Sequence, residues 1–209
     1  MLPSLFSSLS TYLLPSLLSL LSLLSLFLLS TLLAALLPSV LPFPYPPPSP
    51  SPTAAVLAGS FNPPHLGHAA MLRHLSLAHA SPIAAVGFNP GKRYTVPPAA
   101  RVAMLEAMLR EQNLPRVRVA LVPGLVWRWC AREGAKRMYR GVRTWARDGA
   151  AERLLLWQNT FFPVVLGPFT RPVPTVFLEG DPRYNHISST LVRDLCKGGG
   201  VTEKVRGEL

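Results

Sequence analysis

The stretch that most constrains the fold is Val56-Leu57-Ala58-Gly59-Ser60-Phe61-Asn62-Pro63-Pro64-His65-Leu66-Gly67-His68. A short apolar run ends in Gly-Ser, a proline-stiffened turn follows, and two histidines flank Leu66-Gly67 where an apolar-periodic segment opens. This is the pattern of a strand, a loop and a helix N-terminus. The first turn of such a helix carries free backbone N–H groups and the positive end of the dipole, so it suits an anion such as a phosphate. Gly59 and Gly67 let the backbone come close to a ligand. His65 and His68, three residues apart, share one side of the first turn and can both reach it.

The alternation continues down the chain. Short apolar runs predict strands over Ala54–Ala58, Ile83–Phe88, Val117–Val122, Lys136–Tyr139 and Thr175–Leu178. Between them, helical periodicity predicts helices over Gly67–His79 (apolar side Met71, Leu72, Leu75, Ala78), Pro98–Gln112 (stripe Val102, Leu105, Met108, Leu109), Leu125–Glu133, about 146–161 and Ser189–Cys196. Strands alternating with helices imply an α/β fold: a doubly wound, parallel, five-stranded sheet covered on both faces. Ligands of such sheets bind at the carboxyl ends of the strands, near the switch point. The loops after the first, second, fourth and fifth strands carry most of the polar residues of interest.

The N-terminal part has a different composition. No Lys, Arg, Asp or Glu precedes Arg73, so the formal charge of +11 belongs to the chain from there on. A basic field of this strength draws nucleotides, pyrophosphate and other polyanions, unless it serves solubility alone. Residues 1–42 form a Leu/Ser-rich leader. Its run over 11–40 exceeds the roughly 20 apolar residues needed to span a bilayer. It reads as a transmembrane helix anchoring the chain to a membrane, as an organelle-targeting leader (plastid or mitochondrion), or as a misassigned start. Residues 43–53 read as a semi-rigid polyproline linker, leaving 54–209 as the folded domain. Cys130 and Cys196 have neither metal spacing nor a disulfide framework; they fit buried thiols in a reducing compartment.

The polar residues expected on one sheet edge are Ser60, His65, His68, Lys92, Arg140, Arg143, Ser188, Ser189 and Thr190. They supply cations and hydrogen-bond donors. They include no carboxylate pair, nucleophile arrangement or metal cluster. Such a set suits phosphoryl or nucleotidyl transfer, in which a protein positions two anions and neutralises charge on the phosphate in flight.

Three elements carry a resemblance: His65-Leu66-Gly67-His68, Arg140-Gly141-Val142-Arg143, and Ile187-Ser188-Ser189-Thr190-Leu191-Val192-Arg193. In this order they resemble a bacterial-type phosphopantetheine adenylyltransferase, of the cytidylyltransferase-like (HxGH) superfamily, over about 54–201. The resemblance implies a Rossmann-like fold and transfer of AMP from ATP to 4′-phosphopantetheine in coenzyme A biosynthesis, with magnesium travelling on the ATP. It implies catalytic roles for His68, Lys92 and Arg140. On the ATP side it places Ser60, Phe61, His65, His68, Gly141, Val142, Arg143, Glu152, Tyr184, Asn185, His186, Ile187, Ser188, Ser189 and Thr190. On the acceptor side it places Ser60, Lys92, Val126 and Arg140. It also implies a homo-oligomer, and no nucleic acid is expected as partner.

The departures are local. The acidic, aromatic run usual after the second arginine is Thr144-Trp145-Ala146-Arg147-Asp148-Gly149-Ala150-Ala151-Glu152 here. Residues 163–174 look like an insertion, and the tail after Gly200 is short. Asn62, His65 and Ser188-Ser189-Thr190 also resemble nicotinate- or nicotinamide-mononucleotide adenylyltransferases. A non-catalytic relative that binds polyanions is the third reading.

Overall fold

The computed structural model describes residues 3–36, 39–45, 51–88, 93–166 and 172–197. The chain divides into two compact units, Met1–Leu37 and Pro38–Leu209. The first contains one helix, α1 (Pro3–Leu36), with Pro15 inside it. Among the described residues no helix is long and apolar enough to cross a membrane. The expected transmembrane anchor over 11–40, and the membrane localisation attached to it, are corrected accordingly.

The second unit is an α/β sheet. Its elements in order are β1 (Ser39–Leu41), β2 (Ser51–Gly59), α2 (Leu66–Ala78), β3 (His79–Phe88), α3 (Pro98–Glu111), β4 (Arg118–Pro123), α4 (Val126–Arg132), β5 (Arg137–Val142), α5 (Trp145–Leu166), β6 (Thr175–Glu179), a 3-10 turn at Pro182–Tyr184, and α6 (Ser189–Lys197). All pairings are parallel, in the order β1-β6-β5-β2-β3-β4. The sheet therefore has six strands where five were expected. The extra one is β1, whose Ser39-Val40-Leu41 the sequence pattern merges into the leader.

The strands alternate strictly between two cores, as a period of two requires. Ala55, Leu57, Ala84, Val86 and Tyr139 face the side covered by Met71, Leu72 and Leu75 of α2 and by Leu105, Met108 and Leu109 of α3. Val56, Ala58, Ile83, Ala85 and Met138 face the other side, against Cys130 of α4. Phe177 packs there with Leu156 and Trp145 of α5. Full burial of a side chain such as Leu72 or Leu75 contributes roughly 1.5–3 kcal/mol, which fixes the register of α2 and so the aim of its N-terminus. Gly134, at φ +66° just after α4, supplies the left-handed residue that ends that helix.

The chain runs outward from β2 through β3 to β4, then returns to place β5 on the other side of β2. The switch point therefore lies between β2 and β5, with Gly59 and Val142 at their carboxyl ends. Arg140, Gly141 and Val142 belong to β5 itself, three residues beyond the expected end of that strand. Cys196 is exposed, whereas Cys130 is buried as expected.

Candidate active site

A cleft of about 250 Å³ opens at this switch point. Ser60, Phe61, His65 and His68 line it from the β2–α2 loop and the first turn of α2. Arg140, Gly141 and Val142 line it from β5 and Arg143 from just past the strand's end, and Tyr184, Asn185, Ile187 and Ser188 from the segment after β6. Twelve of the expected site residues thus meet in one cavity. Gly141 leaves room for the end of the Met71 side chain from α2: a Cβ there would lie 2.5 Å from the Met71 sulfur, and that side chain would have to shift.

The histidine rings lie close together, with centroids 3.9 Å apart and planes tilted by 43°. His65 is the N-cap of α2, with extended backbone. Its backbone N–H donates to Nδ1 of His68 at 3.2 Å. That bond makes Nδ1 the acceptor and leaves Nε2 to carry the proton, so His68 presents an N–H donor from a neutral ring. Burial, and after it the neighbouring His65, hold the His68 pKa well below 6.5. The Phe61 ring lies against His68 at 4.8 Å, and its backbone takes a φ of +45°, a left-handed conformation unusual outside glycine.

His65 allows a stability prediction. Burial lowers its pKa to about 4, so between pH 6.5 and 4 the unfolded chain binds a proton that the folded chain refuses. Stability is complete above about pH 6.5, falls as the pH drops toward 4, and levels off below. Because the ring is partly exposed, the expected loss is of the order of 2 kcal/mol. Urea melts at pH 7 and pH 4.5 should show this fall, and a His65→Gln chain should show less of it.

The loop between β2 and α2 is held by residues outside the ligand-facing set. Ser189 Oγ donates to the Pro63 carbonyl at 2.7 Å, and Arg193 Nη1 donates to the Asn62 carbonyl at 2.5 Å. The Asn62 side chain accepts from the Val96 N–H at 3.0 Å. In this structure the hydroxyl of Ser189 braces the loop, and Thr190 accepts from Arg193 at 2.9 Å. Neither lines the cleft, nor does His186, which is exposed. Glu152 makes a two-pronged ion pair with Arg140, Nε–Oε2 2.7 Å and Nη2–Oε1 3.1 Å, and so orients the guanidinium. Val126 begins α4 beside Gly87, also outside the cleft lining. Lys92 lies outside the described residues.

Three functional candidates escaped the sequence pattern. Asp148 accepts from the side chain of Arg143 at 2.6 Å and from its backbone N–H at 2.8 Å. Burial alone would raise its carboxyl, but these bonds outweigh it and lower the pKa. An acid in the first turn of a helix is the signal that could have found it. Asp181 is buried in the cleft wall and paired with Arg183; that guanidinium holds its carboxyl low. Arg101, on α3, is wholly buried and donates to the carbonyls of Ser60 at 2.6 Å and Gly87 at 3.3 Å. Among the described residues no group of three or more His, Cys, Asp or Glu is placed to hold a metal.

Fold and cleft together define a class, the α/β nucleotidyltransferases, whose anion site lies where a switch-point helix N-terminus faces arginines at the end of the neighbouring strand. Residues 56–195 match the model of the cytidylyltransferase-like family, and the chain belongs to that family. It is similar to the phosphopantetheine adenylyltransferase of Kocuria rhizophila, 34% identical over 157 residues that cover 74% of this chain and 94% of that protein. It is also similar to that of Clavibacter michiganensis subsp. michiganensis, 35% identical over 154 residues, 72% of this chain and 89% of that protein. Among solved structures, the Plasmodium falciparum nicotinic acid mononucleotide adenylyltransferase complexed with NaAD aligns at a TM-score of 0.48 and 14% identity, over 69% of this chain and 84% of that one.

Proposed function

We propose that the chain transfers an adenylyl group from MgATP to 4′-phosphopantetheine, giving dephospho-CoA and pyrophosphate, and that residues 54–209 carry the reaction. The observation that most supports this is the neutral His68 donor, set by the His65 backbone N–H and facing Arg140 and Arg143 across the cleft. The identity to two phosphopantetheine adenylyltransferases favours this acceptor over a pyridine mononucleotide.

In this reading a phosphate oxygen of the acceptor attacks the α-phosphorus of ATP. The bond from that phosphorus to the bridging oxygen breaks, and pyrophosphate leaves with the electron pair. A phosphate monoester, with a second pKa of about 6, is already a dianion at neutral pH. The reaction thus needs positioned donors rather than a general base. His68 Nε2–H donates to a non-bridging oxygen of the α-phosphate, where negative charge accumulates in the transition state. The free N–H groups of the first turn of α2 and His65 hold the nucleotide phosphates. Arg140, oriented by Glu152, and Lys92 receive the acceptor phosphate. Arg143, oriented by Asp148, neutralises the β- and γ-phosphates. Tyr184 to Ser188 cradle the adenine side. Magnesium enters as part of the substrate MgATP.

The test is turnover by the full chain, with MgATP and either 4′-phosphopantetheine or nicotinamide mononucleotide, followed as pyrophosphate and adenylylated product. Release with phosphopantetheine alone is expected. Release with the mononucleotide alone would move the chain to the pyridine-nucleotide reading. Release with neither, from a folded chain, would overturn the enzymatic reading.

A further inference from the structure

The segment Ser39–Tyr45 lies before the 56–195 stretch that the family model matches, yet it is built into the sheet. Ser39, Val40 and Leu41 pair in parallel with Val176, Phe177 and Leu178, adding an edge strand beyond β6. Four residues after β1, Tyr45 packs against the core, with its ring 4.5 Å from that of His74 on α2. Its hydroxyl donates to the carbonyl of Glu179 at 2.6 Å.

Glu179 is the corner at which β6 gives way to the nucleotide side of the cleft. Its carboxylate accepts from the Trp145 N–H at the start of α5, at 2.7 Å. The next residue, Gly180, donates its N–H to the Val142 carbonyl at 2.7 Å. Val142, Gly180 and Asp181 all line the cleft. Movement of this one carbonyl would therefore move the ends of both β5 and β6 and the segment entering Tyr184. Burial, followed by the carboxylates of Asp181 and Glu179, pushes the Tyr45 phenol upward in pKa, so it keeps its proton and acts as a donor throughout the working range.

We propose that Tyr45 is a positioning residue for the nucleotide wall of the cleft, a clamp through which a segment outside the family's matched domain sets affinity for ATP. The proposal rests on reading this cleft as the ATP site. Its contact is with the β6 corner and not with His68, so it should act on nucleotide binding and leave the chemical step alone.

The experiment compares the full chain with its Tyr45→Phe and Tyr45→Ala forms. It measures the Kd for MgATP by calorimetry, KM for ATP, KM for the acceptor, kcat and the melting temperature. Loss of one hydrogen bond at a binding wall predicts a roughly three- to tenfold rise in Kd and KM for ATP in Tyr45→Phe. Acceptor KM and kcat should stay within about twofold. Tyr45→Ala should weaken ATP further. If alanine lowers the melting temperature sharply, the phenylalanine form, which keeps the ring on His74, decides. Unchanged ATP affinity in Tyr45→Phe, or equal rises in both KM values, would overturn the clamp while leaving the cleft assignment intact. A parent chain that binds no MgATP would overturn the cleft assignment and the clamp together.

Discussion

Replacing His68 by alanine should lower the rate of adenylyl transfer by about 10²–10³-fold, the usual cost of removing one donor aimed at developing phosphate charge. ATP affinity should fall far less, because the helix N-terminus and the arginines keep holding the other phosphates. The loss should therefore fall on kcat more than on KM. The pH profile tests the same assignment from another side. The His68 pKa lies well below 6.5, first through burial and then through His65, so the ring is neutral at every pH at which the chain would ordinarily be assayed. A donor needs its Nε2 proton and no positive charge. Activity should thus show no limb at the ordinary histidine value near 6.5, and a decline attributable to this ring should appear only in acid. A bell centred on 6.5 that vanishes in His68→Asn would mean that the ring works as a proton-transfer group, contrary to the tautomer set by the His65 N–H.

Much of this cleft was legible in the sequence because its chemistry is local. His65, Leu66, Gly67 and His68 are consecutive, so their meeting requires only a helix start. The buried strands Ala55–Ala58 and Ile83–Val86 were legible as short apolar runs bounded by turns. Three other features were not. β1 is three residues of ordinary strand composition beside a long leucine run, and only its pairing with Val176–Leu178 distinguishes it. Ser189 and Thr190 sit in a ligand-like motif, but the bond from Ser189 to Pro63 joins residues 126 apart, a separation that no local pattern encodes. The apolar stripe of α3 includes Val102, whereas the structure buries Arg101 more completely. Arg101, Leu105 and Met108 are spaced i, i+4, i+7, so the helical period itself held the clue. A charge at the first of these positions masked it.

That buried arginine leads to the second large effect. Arg101 →Leu should both destabilise the chain and slow transfer. The guanidinium bridges the ends of two strands: Nη1 reaches the carbonyls of Ser60, just past β2, and of Gly87, near the end of β3. Its face lies 4.3 Å from the Tyr94 ring. Two nitrogens, Nε and Nη2, are buried without partners among the described residues. The balance is therefore between charge-assisted bonds, about 1.5–3 kcal/mol each, and a desolvation cost of about 1–3 kcal/mol for each orphaned donor. Removal of the whole group relieves the orphans but takes this donor from the Ser60 and Gly87 carbonyls. The net loss of stability is thus expected to be modest, about 1–2 kcal/mol, small enough for a folded chain. The kinetic cost should be larger. Ser60 and Phe61 line the cleft beside His68, and a displacement of about 1 Å in a positioning loop can cost 10²-fold in rate. Lysine should rescue only part of this, because a single ammonium keeps the charge but not the planar stacking on Tyr94. Urea melts together with kcat for Arg101→Leu and Arg101→Lys check the argument. A leucine form that melts and turns over like the parent would show that the Ser60 loop holds its place without the arginine, leaving Ser189 and Arg193 as its supports.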